Sequence, residues 1–375
     1  MPVTELPVTE LPVTERADQL PLRADLVGQQ PYGAPQLDVP VRLNVNENPY
    51  PPSPELVEAL LEAVRSVAGA LNRYPDREAV ALRGDLADYL ARTEGVPLAA
   101  EQVWAANGSN ELMVQLLTAF GGPGRVALGF APTYSMYPEY CRDTFTRWVS
   151  VPRRADFTLD LPAARAALAE HAPTVTLVAS PNNPTGTALP LGELEELVDA
   201  APGLVVVDEA YAEFRRPGTP SAVSLLADHP RLVVTRTMSK AFAFAGGRVG
   251  YLAAGRPIVD ALRLVRLPYH LSTLTQPAAR VALTYADQLL ANVASLRTER
   301  DSLVAWLRAA GWTVPDSDAN FAYVGRFADR HQVWTALVDR GVLVRETGPD
   351  GWLRVSVGTP AEMAAFRAAF HAVTG

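Results

Sequence analysis

Lysine is almost missing from this chain of 375 residues: of its 33 basic residues all but Lys240 are arginine. Arginine serves for surface charge and ion pairs but cannot supply a deprotonatable primary amine. Lys240 is therefore either a chance survivor or a residue kept for amine chemistry. Cysteine is nearly absent too, and the single Cys141 excludes an intrachain disulfide. Five histidines, His171, His229, His270, His331 and His371, lie far apart with no second cysteine, so no metal site is expected. Positive charge is in deficit, with 41 acidic residues and a net charge of -8, which argues against nucleic acid and anionic membranes as partners. Apolar runs such as 203–207 end in charge well short of the ~18 residues that a membrane span needs. The N-terminus alternates Pro, Thr and Glu where a secretory signal would be basic and then apolar, so a cytoplasmic location is expected.

What is abundant is apolar surface, 48% of the residues, enough to fill the cores of two or so domains at a prior of ~150 residues each. Residues 2–15 repeat Pro-Val-Thr-Glu-Leu three times, with Arg16 in place of the last leucine. A period of five fits neither helix nor strand, and residues 1–17 are expected to form a disordered tail. Residues 18–52 read as an N-terminal arm packing with a small domain. A large domain is expected over 53–268 and a small C-terminal domain over 269–375.

Ser53 and Pro54 begin a helical pattern that Leu56, Leu60, Val64 and Val67 continue, and further helices fit 78–91 and 110–120. Short apolar runs follow at 126–130, 175–179, 204–207, 232–235 and 249–253, as in buried parallel strands, with helical stretches such as 191–200 between them. The fold class is α/β with a mostly parallel, doubly wound sheet. Beyond Pro268 a long helical segment, 276–310, precedes strand-like 321–324, a helix near 332–340, strands at 342–345 and 352–357 and a final helix, a smaller α+β domain.

In open α/β sheets ligands bind beyond the carboxyl ends of the strands. Three polar strings sit at such ends: Ser180-Pro181-Asn182-Asn183-Pro184-Thr185-Gly186, Asp208-Glu209-Ala210-Tyr211 and Thr237-Met238-Ser239-Lys240. Each has a bland alternative, since Asn-Pro-Thr-Gly makes good turns and an Asp after a strand often caps a helix. Their concurrence, with the sole lysine in one of them, favours a site.

These strings, with Gly247-Arg248-Val249-Gly250, resemble the fold-type I pyridoxal 5'-phosphate aminotransferases. More narrowly, 43–50, Arg73-Tyr74-Pro75-Asp76, 132–137 and 353–358 resemble the histidinol-phosphate aminotransferase family. The resemblance implies that Lys240 holds the cofactor covalently and shuttles a proton, and that Asp208 pairs with the pyridinium nitrogen. It further implies that Tyr211 and Asn183 bond O3' and that Tyr134 stacks on the ring. For the phosphate it implies Arg248, the Thr237 hydroxyl and the amides of Ser109 and Asn110. Tyr74 matches a tyrosine that reaches the phosphate from the partner subunit, so a homodimer is implied. Asn110 stands where the family more usually has Asp, and the implied phosphate contact is through its backbone amide, which needs no carboxylate.

The reaction implied is transamination between histidinol phosphate and 2-oxoglutarate, giving imidazole-acetol phosphate and glutamate in histidine biosynthesis. Arg354 would receive each substrate's anionic group, assisted by Arg345 and Tyr32. Two alternatives use the same cofactor: an aromatic (phenylalanine) aminotransferase and a phosphothreonine decarboxylase. A cofactor-binding transcriptional regulator would need a DNA-binding domain, for which the short acidic N-terminal stretch leaves no room.

Overall fold

The computed structural model describes residues 20–375, in two units that divide after Ala34. The repeat tail lies outside the described residues. In the first unit, residues 20–34 form a turn in which the Leu26 amide donates to the Arg23 carbonyl, and contain no helix or strand. The second unit, residues 35–375, carries the sheet and the helices.

Its strands are β1 (Val41–Arg42), β2 (Val103–Ala106), β3 (Val126–Ala131), β4 (Arg147–Pro152), β5 (Val175–Ala179), β6 (Leu204–Asp208), β7 (Leu232–Thr237), β8 (Gly250–Ala254), β9 (Phe321–Gly325), β10 (Val342–Leu343), β11 (Arg345–Glu346) and β12 (Trp352–Ser356). Its helices are α1 (Pro54–Ala68), α2 (Val80–Glu94), α3 (Ser109–Phe120), α4 (Met136–Asp143), α5 (Leu161–His171), α6 (Leu191–Ala200), α7 (Arg256–Val265), α8 (Thr275–Thr284), α9 (Ala286–Ala309), α10 (Arg330–Val338) and α11 (Pro360–Thr374). Seven strands form one sheet in the order β2-β8-β7-β6-β5-β3-β4.

Both faces of that sheet are covered, which is why its strands read as unbroken apolar runs. Successive side chains alternate: Val206, Leu177 and Leu252 join Leu112, Leu116 and Leu262 of α3 and α7 on one face. Val205, Val207, Val178 and Tyr251 join Leu86, Leu90 and Leu194 of α2 and α6 on the other. Each such side chain contributes about 1.5–3 kcal/mol by leaving water. Asp208 and Thr237 stand at the ends of β6 and β7, where the site forms.

The expected elements are corrected in three places. The run at 249–253 was expected to be parallel. As β8 it starts one residue later and lies antiparallel to both neighbours, β2 and β7. The segment 276–310 is two helices, α8 and α9, separated at Tyr285. The strand expected over 342–345 is split: β10 pairs parallel with β1, and β11 pairs antiparallel with β12. Val344 between them is fully buried, so the chain turns from one ladder to the next around an apolar pivot. Strands β2 and β4 were not anticipated. β2 is only four residues long, and β4 is an edge strand with a mixed, half-exposed pattern.

A three-stranded antiparallel sheet, β11-β12-β9, and the β1–β10 pair lie near α9, α10 and α11 in the C-terminal part. The Ser356 amide donates to the Leu43 carbonyl at 3.0 Å. That bond lays residues 43–46 alongside the end of β12.

Where β8 meets β2, Gly250 is opposite Ala106, and a Cβ on Gly250 would lie 2.3 Å from the Ser109 nitrogen. Backbone cannot yield as a flexible side chain can, so Gly250→Ala is expected to cost about 1–3 kcal/mol, the usual range for overpacking. Urea unfolding checks it, and an unchanged midpoint would show that α3 can shift freely.

Candidate active site

The reversal of β8 has a chemical result. Because it runs against its neighbours, its start lies at their carboxyl ends, and Arg248 just before it joins the residues that follow β5, β6 and β7. Arg248 has a positive φ of 52°. Its guanidinium donates to the Ala245 carbonyl at 3.1 Å and, at 3.4 Å, to the Ser239 hydroxyl. Ser239 also accepts from Thr237 Oγ1 at 2.9 Å. On the other side, a Cβ on Gly108 would come 2.6 Å from the Arg248 guanidinium, and Gly108 has φ 83°. Glycine thus permits both the turn and the close approach. α3 starts at Ser109 with no side-chain cap, so its first amides point outward beside a guanidinium. That donor set suits a phosphate dianion.

Asp208 closes β6 and is buried. Its carboxylate accepts from the Tyr137 hydroxyl at 3.0 Å, the Ala210 amide at 3.2 Å and Thr235 Oγ1 at 3.3 Å. Desolvation outweighs these bonds and raises its pKa to about 6. A cation beside it would reverse that shift, so the site is built for a positive partner.

Lys240 Nζ donates to the Val45 carbonyl at 3.0 Å. Burial of the amine is the first cause that lowers its pKa, from 10.5 to about 8, with the positive charges of Arg354 and Arg248 adding to it against Glu47. Arg354, on β12, donates to Asn183 Oδ1 at 2.6 Å and to the Asn44 carbonyl at 2.7 Å. Arg345 is its direct partner across the β11–β12 ladder. The Tyr211 hydroxyl accepts from Asn46 Nδ2 at 2.9 Å, and the Tyr211 ring packs edge-on against Phe321. Tyr134 is partly buried with its ring edge-on to Tyr137, and its hydroxyl reaches Asn110 Oδ1 at 3.4 Å.

Contacts link Lys240, Arg248, Thr237, Arg354, Asn183 and Tyr211 through shared neighbours, and Asp208 caps the central strand beside them. Tyr74 is highly exposed, at 80%, and stacks on Tyr269 with centroids 4.3 Å apart. Tyr32 belongs to the first unit, where its ring is exposed. Residues that the sequence reading did not single out are Tyr137, Ser239, Asn44 and Asn46. All four lie inside the segments 43–50, 132–137 and 237–240, and their neighbours there are the available signal. Among the described residues no group of three His, Cys, Asp or Glu could hold a metal ion.

Behind the site, period-two alternation sends the neighbours of Asp208 and Thr237 the other way. Arg236 is buried against Glu209 at 2.8 Å and Glu94 at 2.5 Å, with Glu213 at 3.5 Å. This ion network joins the ends of β6 and β7 from beneath.

Residues 39–370 match the family described as aminotransferase class I and II, and the chain belongs to that family. Within it, the chain is 65% identical over 358 residues to the histidinol-phosphate aminotransferase of Thermobifida fusca, covering 96% of each chain. It is 55% identical over 366 residues to that of Bifidobacterium longum, covering 93% of this chain and 95% of the other. Among solved structures it resembles histidinol-phosphate aminotransferase from Sinorhizobium meliloti in complex with pyridoxal-5'-phosphate. That match has a TM-score of 0.78 and 26% identity over 89% of this chain and 91% of the other.

The Lys240 amine gives a pH prediction. In the fold it loses its proton near pH 8, whereas an ordinary lysine holds it to 10.5. Between those values unfolding takes up a proton, so this group's contribution to stability rises with pH across that window. In cofactor-free protein, acylation at Lys240, followed by peptide mapping, is expected to reach half its maximal rate near pH 8. A midpoint at the ordinary lysine value would mean that the amine is solvated.

Proposed function

We propose that this protein transfers an amino group between L-histidinol phosphate and 2-oxoglutarate, with pyridoxal 5'-phosphate as cofactor, in histidine biosynthesis. The class of reaction follows from the family, and the substrate from the extent of identity to histidinol-phosphate aminotransferases. The observation that carries the substrate reading in the structure is the pairing of Arg345 and Arg354 directly across one antiparallel ladder. Like charges in opposed positions repel, and a shared anion offsets that cost. A phosphate has charge enough for both.

Pyridoxal 5'-phosphate, when bound, supplies an aldehyde carbon that amines can join and a ring that accepts the electron pair left at the substrate's Cα. Lys240 would hold it through the amine and would serve to move the proton between Cα and C4'. Its lowered pKa keeps a usable share of free base near neutral pH. Asp208 keeps the ring nitrogen protonated, and Tyr137 and Thr235 fix the carboxylate for that task. Arg354 takes Asn183 Oδ1, so the Asn183 Nδ2 is the atom that donates to O3'. Tyr211 is the second donor to O3', and Tyr134 stacks on the ring. Arg248, Thr237, Ser239 and the amides of Ser109 and Asn110 hold the phosphate. Asn110 contributes its amide, for which a carboxylate is unnecessary. For Tyr32 a substrate contact rests on the sequence alone.

The domain reading that goes with this function is a large cofactor-holding domain over 53–268 and a small substrate-reading one over 269–375. The cytoplasm is the compartment that suits the reaction, and among the described residues no helix is long and apolar enough to cross a membrane. The working form is a homodimer. Support comes from an exposed apolar group around Tyr74 and Tyr269 that includes Leu71, Leu264 and Leu267. Gln276 bonds the Asp76 carbonyl, and Arg263 and Arg266 bond Glu78, which brings these two stretches together on one surface. Tyr74 then completes the partner's phosphate site.

Arg345→Ala is expected to lower kcat/KM for histidinol phosphate more than for glutamate. Each charge-assisted bond is worth about 1.5–3 kcal/mol, a factor of ten or more, whereas Arg354→Ala should damage both half-reactions. Preference for phenylalanine over histidinol phosphate in a competition assay would instead favour the aromatic aminotransferase.

Mixing Tyr74→Phe subunits with Lys240→Ala subunits should yield hybrids with one intact site. Activity above that of either variant alone is the expected result. Its absence, with hybrids verified by mass, would remove the shared site.

A further inference from the structure

Three consecutive residues each touch a different group of the site. The Asn44 carbonyl accepts from Arg354, the Val45 carbonyl accepts from Lys240, and Asn46 Nδ2 donates to the Tyr211 hydroxyl. Of the three, only Asn46 acts through its side chain. It is 1% exposed and has φ 56°, in the left-handed region that asparagine tolerates better than most residues. Its carbonyl accepts from Asn320 Nδ2 at 3.0 Å, so the backbone is held as well.

The direction of the bond to Tyr211 is dictated by a neighbour. Ser356 Oγ accepts from the Asn46 amide at 2.9 Å, and its own hydrogen goes to Asn46 Oδ1 at 2.8 Å. With Oδ1 committed to Ser356, Nδ2 is the end of the side-chain amide that faces Tyr211. The phenol oxygen therefore accepts on that side, and its own hydrogen is turned away from Asn46. Donation into a hydroxyl also polarises it and strengthens the bond that it donates in turn.

We propose that Asn46 is a positioning residue for the reaction, orienting the Tyr211 hydroxyl so that it donates to the cofactor's O3' oxygen. The proposal rests on the reading of Tyr211 given above. Asn46 touches neither the cofactor nor the substrate in this account and works only through the phenol. Because Ser356 lies two residues from Arg354 on β12, the same amide also ties Tyr211 to the strand that reads the substrate's anion.

The test is a pH titration of the visible absorption of the cofactor-loaded protein. A donor to O3' favours the form in which that oxygen carries full negative charge, so weakening the donor raises the pH midpoint. Tyr211→Phe sets the scale. Asn46→Gly removes the side chain while suiting the left-handed backbone, and it should raise the midpoint by about 0.4–1 pH unit, the equivalent of one neutral hydrogen bond. The charged groups facing Lys240, which are Arg354, Glu47 and Arg248, are left in place. In the Tyr211→Phe background the same substitution should leave the midpoint where Tyr211→Phe alone puts it. Asn46→Asp is the isosteric second variant. It keeps the Ser356 bond but offers an acceptor to the phenol, and it should raise the midpoint further than Asn46→Gly. An unmoved midpoint in both Asn46 variants, or an equal shift for Asn46→Gly with and without the Tyr211 hydroxyl, overturns the proposal. A midpoint unmoved by Tyr211→Phe overturns the reading of Tyr211 and this proposal with it.

Discussion

The site depends on one reversal of direction in an otherwise parallel sheet. Strand β8 enters between β2 and β7 from the opposite end, with Gly250 opposite Ala106 on one side and Thr237 on the other. Were it parallel, Arg248 would lie at the far edge of the sheet, away from the α3 N-terminus. The reversal works only because two glycines, Gly108 and Gly250, let backbone and guanidinium approach within distances that a Cβ would block. A steric condition at two positions thus decides where a positive charge can stand.

Charge is arranged in layers around that point. The protein as a whole is acidic, at -8, yet Lys240, Arg248 and Arg354 are gathered in one site. Burial first, and then the repulsion of Arg354 and Arg248, lowers the pKa of the lysine amine, and an anionic ligand would offset that repulsion. Beneath, Arg236 meets Glu94, Glu209 and Glu213 in a desolvated network. Such a network is a weak source of net stability but a strong penalty on misplacement, since shifting one strand end strands a buried charge. Asp208 and Glu209 illustrate the division: adjacent carboxylates, one turned to the site and one to the network.

Much of this was legible in the sequence because strand ends are punctuated by polar residues. Asp208, Thr237 and Lys240 each follow a short apolar run, so their common edge could be read without coordinates. The reversal of β8 could not be, since an apolar run buried on both faces looks the same in either direction. The split at Val344 was hidden for a similar reason: the buried pivot continues the pattern of the strands that it separates. Tyr137 escaped notice because a tyrosine in a helix reads as ordinary core until a carboxylate is found beneath it. Asn46 was quoted only as part of a string, for its importance lies in partners 165 and 310 residues away.

Those separations bear on how the protein is made. The groups proposed to hold the cofactor, Asp208, Lys240 and Arg248, lie in or between strands of a sheet that is complete by Ala254. The carbonyl of Asn44 must wait for Arg354, 310 positions later in synthesis, before its hydrogen-bond partner exists. Contacts of such sequence separation form late, because their loop-closure entropy is repaid only when the closing strand arrives. Chain growth therefore supplies Asp208, Lys240 and Arg248 before Arg354, and the bond from Arg354 to the Asn44 carbonyl spans one of the longest sequence separations at the site.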